Sequence, residues 1–188
     1  MKTLLSAALA TALLAACGTP APKDGACCGG DIKPTMVLKA GAKNVGILIF
    51  DDVFITEFVA PFDVYKHTGD KMNVFTIAPK PGPVRTYEGV VVHPDFSIAN
   101  APKIDILVVP SGNGSLTTDL QNAEFVAFVK KAATDAQYAT SHCWGCFTLA
   151  ATGLLDGKEC TTFPTSVDDL QKKFPKVKAQ HNQRFVVT

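Results

Sequence analysis

Two nearly unbroken apolar runs constrain this chain more than anything else in it: Val45-Gly46-Ile47-Leu48-Ile49-Phe50 and Ile104-Asp105-Ile106-Leu107-Val108-Val109-Pro110. A strand with one wet face alternates polar and apolar residues, whereas runs like these belong to strands buried on both sides. The first stops at Asp51-Asp52 and the second at Ser111-Gly112-Asn113-Gly114. A third run, Met72 to Ala78, is closed by the breaker Pro79-Lys80-Pro81-Gly82-Pro83. Such strands need helices above and below them. The fold class is therefore α/β, a mostly parallel sheet in a three-layer sandwich.

The segments between the runs supply those helices. One spans about Glu57 to Lys66, where Pro61 is tolerable only within the first turn. Asn122 can cap another, which places Phe125, Val129, Ala132 and Ala136 on one face. Val84 to Val92 reads as a small antiparallel excursion about Glu88-Gly89. Tyr138 to Ser141 is a short strand running straight into a helix that begins at Cys143 and closes near Asp156-Gly157, with glycine as its cap. A strand at Cys160 to Phe163, a helix at Ser166 to Phe174 and a last strand at Arg184 to Val187 complete the pattern. With 47% hydrophobic residues in 188, the chain supports one domain with a core. Lys+Arg number 18 against 17 Asp+Glu, a net charge of +1 with no basic stripe, so no nucleic-acid partner is indicated.

The first residues read as an address rather than as part of the fold. Met1-Lys2-Thr3 is a basic start, and Leu4 to Leu14 is apolar but too short to span a bilayer comfortably. Small residues then lead into Leu14-Ala15-Ala16-Cys17, the layout of a secretory signal. This stretch resembles the lipobox of bacterial lipoproteins. The resemblance implies a signal peptide over residues 1–16, cleavage before Cys17, and acyl chains on Cys17 that anchor the protein to a membrane. Gly18 in place of Asp after the cysteine points to the outer membrane, so the expected location is the cell envelope, facing the periplasm. Residues 17–42, rich in Gly, Pro, Lys and Ala, read as a flexible tether to a domain over 43–188. The Cys27-Cys28-Gly29-Gly30 stretch lacks four ligands at metal spacing; no metal and no organic cofactor are indicated.

The chemistry concentrates at Cys143. A residue that leaves a buried strand and enters a helix within two positions sits in a sharp turn, its side chain exposed at the carboxyl edge of the sheet. A helix N-terminus favours the thiolate, the nucleophilic form of cysteine. Gly145 permits the close backbone approach that such an elbow needs. The backbone N–H groups of Trp144 and Gly112 are the expected oxyanion-stabilising donors.

Ser141-His142-Cys143-Trp144-Gly145, followed by Ala150 to Lys158, resembles the elbow and helix of the ThiJ/PfpI superfamily, which has a class I glutamine amidotransferase-like fold of flavodoxin-like architecture. Gly153-Leu154-Leu155-Asp156-Gly157 and Thr161-Thr162 are similar to the isonitrile hydratase-like branch. Phe50 to Val53, Glu57 to Tyr65, and Val108 to Gly114 match the family's first loop, first helix and glycine turn. The resemblance covers Asn44 to the end. It implies that Glu57 is the acid–base partner of a Cys143 nucleophile, and that a small electrophilic molecule is the substrate of a hydrolase or hydratase. A carboxyl beside a thiolate is expected to have a raised pKa. A homodimer is compatible with this reading. The family also implies a further strand, loop and helix beyond Thr188, so the domain is expected to be truncated at its C-terminus. Trp144 stands where the peptidase-like branch has histidine, which weakens a peptidase reading. His142 is expected to point away from the thiol, and His181 to lie in a loop.

Two other classes compete with the enzyme. Cys143-Trp144-Gly145-Cys146 is a CxxC at a helix start, so Cys146 is a candidate redox partner of Cys143 in a thiol–disulfide oxidoreductase. Alternatively, the domain is a non-catalytic ligand or oxidation sensor, with Cys143 forming a sulfenic acid, related to the sensing domains of transcription regulators.

Overall fold

The computed structural model describes residues 36–188. The signal peptide, the lipid-attachment residue Cys17, and Cys27 and Cys28 lie outside the described residues. The last part of the expected tether is described, and it is docked. Met36 and Leu38 pack against the core. The Lys39 N–H donates to Asn73 Oδ1 at 2.9 Å, and its carbonyl accepts from Asn73 Nδ2 at 3.1 Å. These residues pack with the domain that follows.

In chain order the first elements are β1 (Lys43–Leu48), α1 (Ile55–Lys66), β2 (Met72–Ala78), β3 (Val84–Arg85), β4 (Val91–Val92) and β5 (Phe96–Ser97). They are followed by β6 (Ile106–Val109), α2 (Thr118–Gln121), α3 (Ala123–Asp135), β7 (Tyr138–Ser141), α4 (Gly145–Ala151), β8 (Glu159–Cys160), α5 (Val167–Lys173) and β9 (Lys178–Ala179). The main sheet runs β5-β2-β1-β6-β7 with every pairing parallel. Val45, Ile47, Phe75, Leu107 and Val108 in its central strands are fully enclosed, as their unbroken apolar runs require.

The order of strands explains where chemistry can occur. From β1 the chain crosses to β2 on one side; from β6 it crosses to β7 on the other. Right-handed crossovers then put α1 and α3 on opposite faces of the sheet, which is the flavodoxin-like arrangement. The crossovers diverge between β1 and β6, and a crevice opens at the carboxyl ends of the strands there. The loops after β1, β6 and β7 meet at that edge.

Several elements differ from their expected limits. Pro61 is not in the first turn of α1 but inside the helix, where its missing N–H leaves the Glu57 carbonyl without an i+4 donor. The segment expected as a strand from Ile104 is trimmed to β6, because the Asp105 side chain turns back to accept from the Asn44 N–H at 2.9 Å. The elbow helix ends at Ala151, well before Gly157; Gly153 at φ 79° already supplies the left-handed cap. Arg184 to Val187 is not a strand. Phe185 and Val187 are 74% and 88% exposed, and it is β9 that pairs with β8. The Asn122 cap is as expected, with its side chain accepting from the Phe125 N–H at 3.0 Å.

Candidate active site

The elbow is built as its sequence requires. Strand β7 ends at Ser141, and α4 begins at Gly145. Between them Cys143 adopts φ 47°, a left-handed conformation that costs energy in any residue with a Cβ. Three hydrogen bonds hold it there. The Gly145 N–H donates to the His142 carbonyl at 2.8 Å, the His142 N–H donates to the Val109 carbonyl at 3.2 Å, and the Thr162 hydroxyl donates to the Cys143 carbonyl at 2.6 Å. A Cβ on Gly145 would lie 2.2 Å from the Val109 carbonyl oxygen and 2.8 Å from that of Pro110. Glycine is the residue that lets α4 start this close to β6.

Glu57 reaches the same edge from the first turn of α1, just after the loop that follows β1. Its amide donates to the Phe54 carbonyl at 3.1 Å in the first turn of α1. That turn is docked on the loop after β6, since the Phe54 N–H donates to the Ser111 carbonyl at 3.1 Å and Val53 bridges Gly112. The antiparallel excursion has a use here as well: the Glu88 carboxylate accepts from the Ile55 N–H at 3.1 Å and caps α1. Glu57 Oε2 and Ser111 Oγ are buried oxygens without a well-formed partner, an expensive condition away from a functional site.

The Cys143 thiol is half-buried, and its pKa is raised above the ordinary thiol range. Burial is the main cause, and the Glu57 charge adds to it; the Ser111 hydroxyl and the Trp144 N–H, both directed at the sulfur, pull the other way. The expected helix-promoted thiolate is therefore outweighed by desolvation. Because the folded state holds the proton more tightly, the stability this gives is present at low pH and lost as pH rises through the folded pKa. The rate of Cys143 alkylation, followed by mass spectrometry, is expected to rise with a midpoint above the reference of about 8.5. Glu57→Gln removes a like charge and should lower that midpoint, while Ser111→Ala removes a donor and should raise it. A midpoint unmoved by both changes would contradict this account of the site.

The expected oxyanion donors are already engaged. The Gly112 N–H donates to Ser115 Oγ at 2.8 Å in a buried setting, and the Trp144 N–H serves the Cys143 sulfur itself. Neither is free for a substrate oxygen in this conformation. The Ser111 hydroxyl, beside the Cys143 sulfur, is the donor that sequence reasoning passed over; its place just after the carboxyl end of β6 was the available signal. His142, expected to turn away, lines a cleft of about 460 Å³ together with Thr56, Glu57, Pro61 and Tyr65. The Trp144 indole N–H donates to Ser166 Oγ at 2.9 Å, and the ring stands between Phe54 and Phe163. His181 is paired with Asp168 at 2.9 Å in a loop, as expected. Cys146 does not face Cys143: its buried thiol meets Cys160 and Ser141, because one helical turn carries it inward. Among the described residues no group of three or more His, Cys, Asp or Glu could hold a metal ion.

A parallel α/β sheet with a strained cysteine between strand and helix, and a carboxyl from the first turn of α1, defines a nucleophile-elbow protein. The chain belongs to the DJ-1/PfpI family, whose model matches residues 43–188. Isonitrile hydratase from Pseudomonas putida is 31% identical over 121 residues, 64% of this chain and 52% of that protein. The HTH-type transcriptional regulator GbdR of Pseudomonas aeruginosa is 31% identical over 90 residues, 48% of this chain and 24% of the regulator. A ThiJ/PfpI family protein from Pseudomonas syringae superposes with a TM-score of 0.70 at 25% identity, over 79% of this chain and 60% of that one. The chain thus spans about half the length of the isonitrile hydratase it matches.

Proposed function

We propose that this protein is a cysteine-dependent hydratase or hydrolase of small electrophilic molecules, with Cys143 as nucleophile and Glu57 as acid–base. The observation that carries the reading is the strained, half-buried Cys143 beside a Glu57 carboxyl oxygen that has no partner. A thiol held protonated needs a base, and an unpaired carboxylate oxygen supplies one. For an isonitrile, the sulfur adds to the terminal carbon, and the thiol proton passes through Glu57 to that carbon, giving a thioimidate. Water then adds, the carbon–sulfur bond breaks, and an N-substituted formamide leaves with the thiol restored. A small carbonyl compound would follow the same acyl-transfer logic. Isonitriles enter as substrates because the relative acts on them, so the first experiment measures formamide release from a small isonitrile panel. Turnover with a transient mass adduct on Cys143 supports the reading. Binding without turnover favours the second one, a ligand-sensing domain, to which the similarity to a transcription regulator lends support.

The lipid-anchored envelope location is also proposed, from Leu14-Ala15-Ala16-Cys17. Cells fed labelled palmitate should label the wild type and not Cys17→Ser. Equal labelling of both would remove the anchor. Association into a homodimer is part of the same proposal, and a sedimenting species of one chain mass would exclude it.

A further inference from the structure

Trp144 belongs to a row of four aromatic rings that the proposed reaction does not use. Tyr87 meets Phe54 with ring centroids 5.3 Å apart and planes at 86°. Phe54 meets Trp144 at 6.0 Å and 55°, and Trp144 meets Phe163 at 6.3 Å and 79°. Segments far apart in sequence supply these rings: the loop after β1, the turn between β3 and β4, the elbow, and the stretch after β8. Each segment is clamped in place. The Trp144 indole N–H donates to Ser166 Oγ at 2.9 Å, and the Ser166 N–H donates to the Phe163 carbonyl at 2.8 Å. The Tyr87 N–H donates to the Val53 carbonyl at 3.0 Å, and the Phe54 N–H to that of Ser111 at 3.1 Å. Yet the row is not part of the core, since Tyr87 is 59% and Phe163 45% exposed. Apolar side chains scattered singly over a surface need no explanation, but a contiguous, clamped row of them does. Its Trp144–Phe163 end lies at the nucleophile. Trp144 follows Cys143 in the chain, and Thr162, the neighbour of Phe163, donates its hydroxyl to the Cys143 carbonyl at 2.6 Å.

We propose that Trp144 and Phe163 form a subsite for an aryl ring of the small molecule taken at Cys143, which makes aryl-bearing electrophiles the preferred substrates over alkyl ones of equal size. The inference rests on the reading of Cys143 as the nucleophile and narrows its substrate class. Neighbouring rings in the row are steeply inclined, and the T-shaped pairs set an edge of one ring against the face of the next. Another aromatic ring continues such an arrangement, gaining edge-to-face contact as well as burial, whereas a saturated ring gains burial alone. Phe163 offers the wet surface for it. Phe54 backs Trp144 from the other side, and the Ser166 hydrogen bond fixes the indole, so little side-chain freedom remains to be lost on binding. Tyr87, at the far end, buttresses Phe54 and does not touch the ligand.

Trp144 is the chain's only tryptophan, so its emission reports on the row directly. The test uses the full chain carrying Cys143→Ala, which binds without reacting. It is titrated with formanilide and, separately, with N-cyclohexylformamide, whose ring is of the same size but saturated. Formanilide should change the emission saturably and bind about 2- to 10-fold more tightly, the range an added aromatic pair contributes. Phe163→Leu in the same background should abolish that preference and leave the affinity for N-cyclohexylformamide nearly unchanged. Tyr87→Leu should alter neither affinity. With Cys143 intact, Phe163→Leu should raise KM for phenyl isonitrile by the same factor and leave kcat as it was. Equal affinities for the two formamides overturn the proposal, as does a preference that survives Phe163→Leu or is lost in Tyr87→Leu. Emission that varies with protein concentration and ignores formanilide overturns it too, and assigns the row to a second copy of the chain. The reaction can fail separately: no turnover of any isonitrile, with the aryl preference intact in Cys143→Ala, removes the chemistry and keeps the subsite.

Discussion

Cys143→Ala should lower turnover by about 10³-fold or more while leaving the melting temperature near that of the wild type. A nucleophile that forms the covalent intermediate contributes to every later step, so its loss removes nearly all that the acid–base partner adds. Glu57→Gln should cost less, about 10² to 10⁴-fold, because proton transfer can then fall to water. The stability forecast rests on conformation: alanine bears the same φ 47° strain as cysteine and gives up only a half-buried sulfur. Steady-state kinetics with a parallel thermal melt separates the two effects. If Cys143→Ala turned over at the wild-type rate, the nucleophile assignment would fail whatever the substrate.

The second large effect is on folding. Gly145→Ala should destabilise the domain by about 3 kcal/mol or more, the upper range for overpacking against something that cannot give way. The added methyl would meet backbone oxygens of Val109 and Pro110 at 2.2 and 2.8 Å, not a side chain that could turn aside. Relief would require α4 to lift off β6, taking Cys146, Phe147 and Leu149 out of the core. Chemical denaturation should show a lower midpoint. A midpoint equal to wild type would mean that the elbow is far softer than its contacts indicate.

Much of this architecture could be read before any coordinates. Unbroken apolar runs dictate strands covered on both faces, and the rapid passage from Ser141 to Gly145 dictates an elbow with Cys143 at its tip. Glu57 was harder. Its own residues describe an ordinary helix-start carboxylate, and only the family resemblance placed it beside the thiol. What failed depended on contacts between distant segments or on how a local hydrogen bond was spent. The Cys146 partner is on β8, across a stretch of chain whose path no periodicity encodes. The Gly112 N–H is taken by Ser115, three residues on, a local motif that the serine itself could have flagged. Arg184 to Val187 has strand-like residues, but among the described residues no strand pairs with it.

Pro61 gives α1 a compliance that its length conceals. With no donor for the Glu57 carbonyl, the helix behaves as two rods joined at a weak point, and bending there is its cheapest deformation. The first rod carries both the Glu57 carboxyl and Phe58, which is held against the core, while the second, beyond Pro61, carries Val64 and Tyr65. Flexing the joint moves Val64 and Tyr65, which line the cleft beside Glu57 and His142, while the carboxyl keeps its place, so the width of the cleft is a soft coordinate that a bound molecule sets.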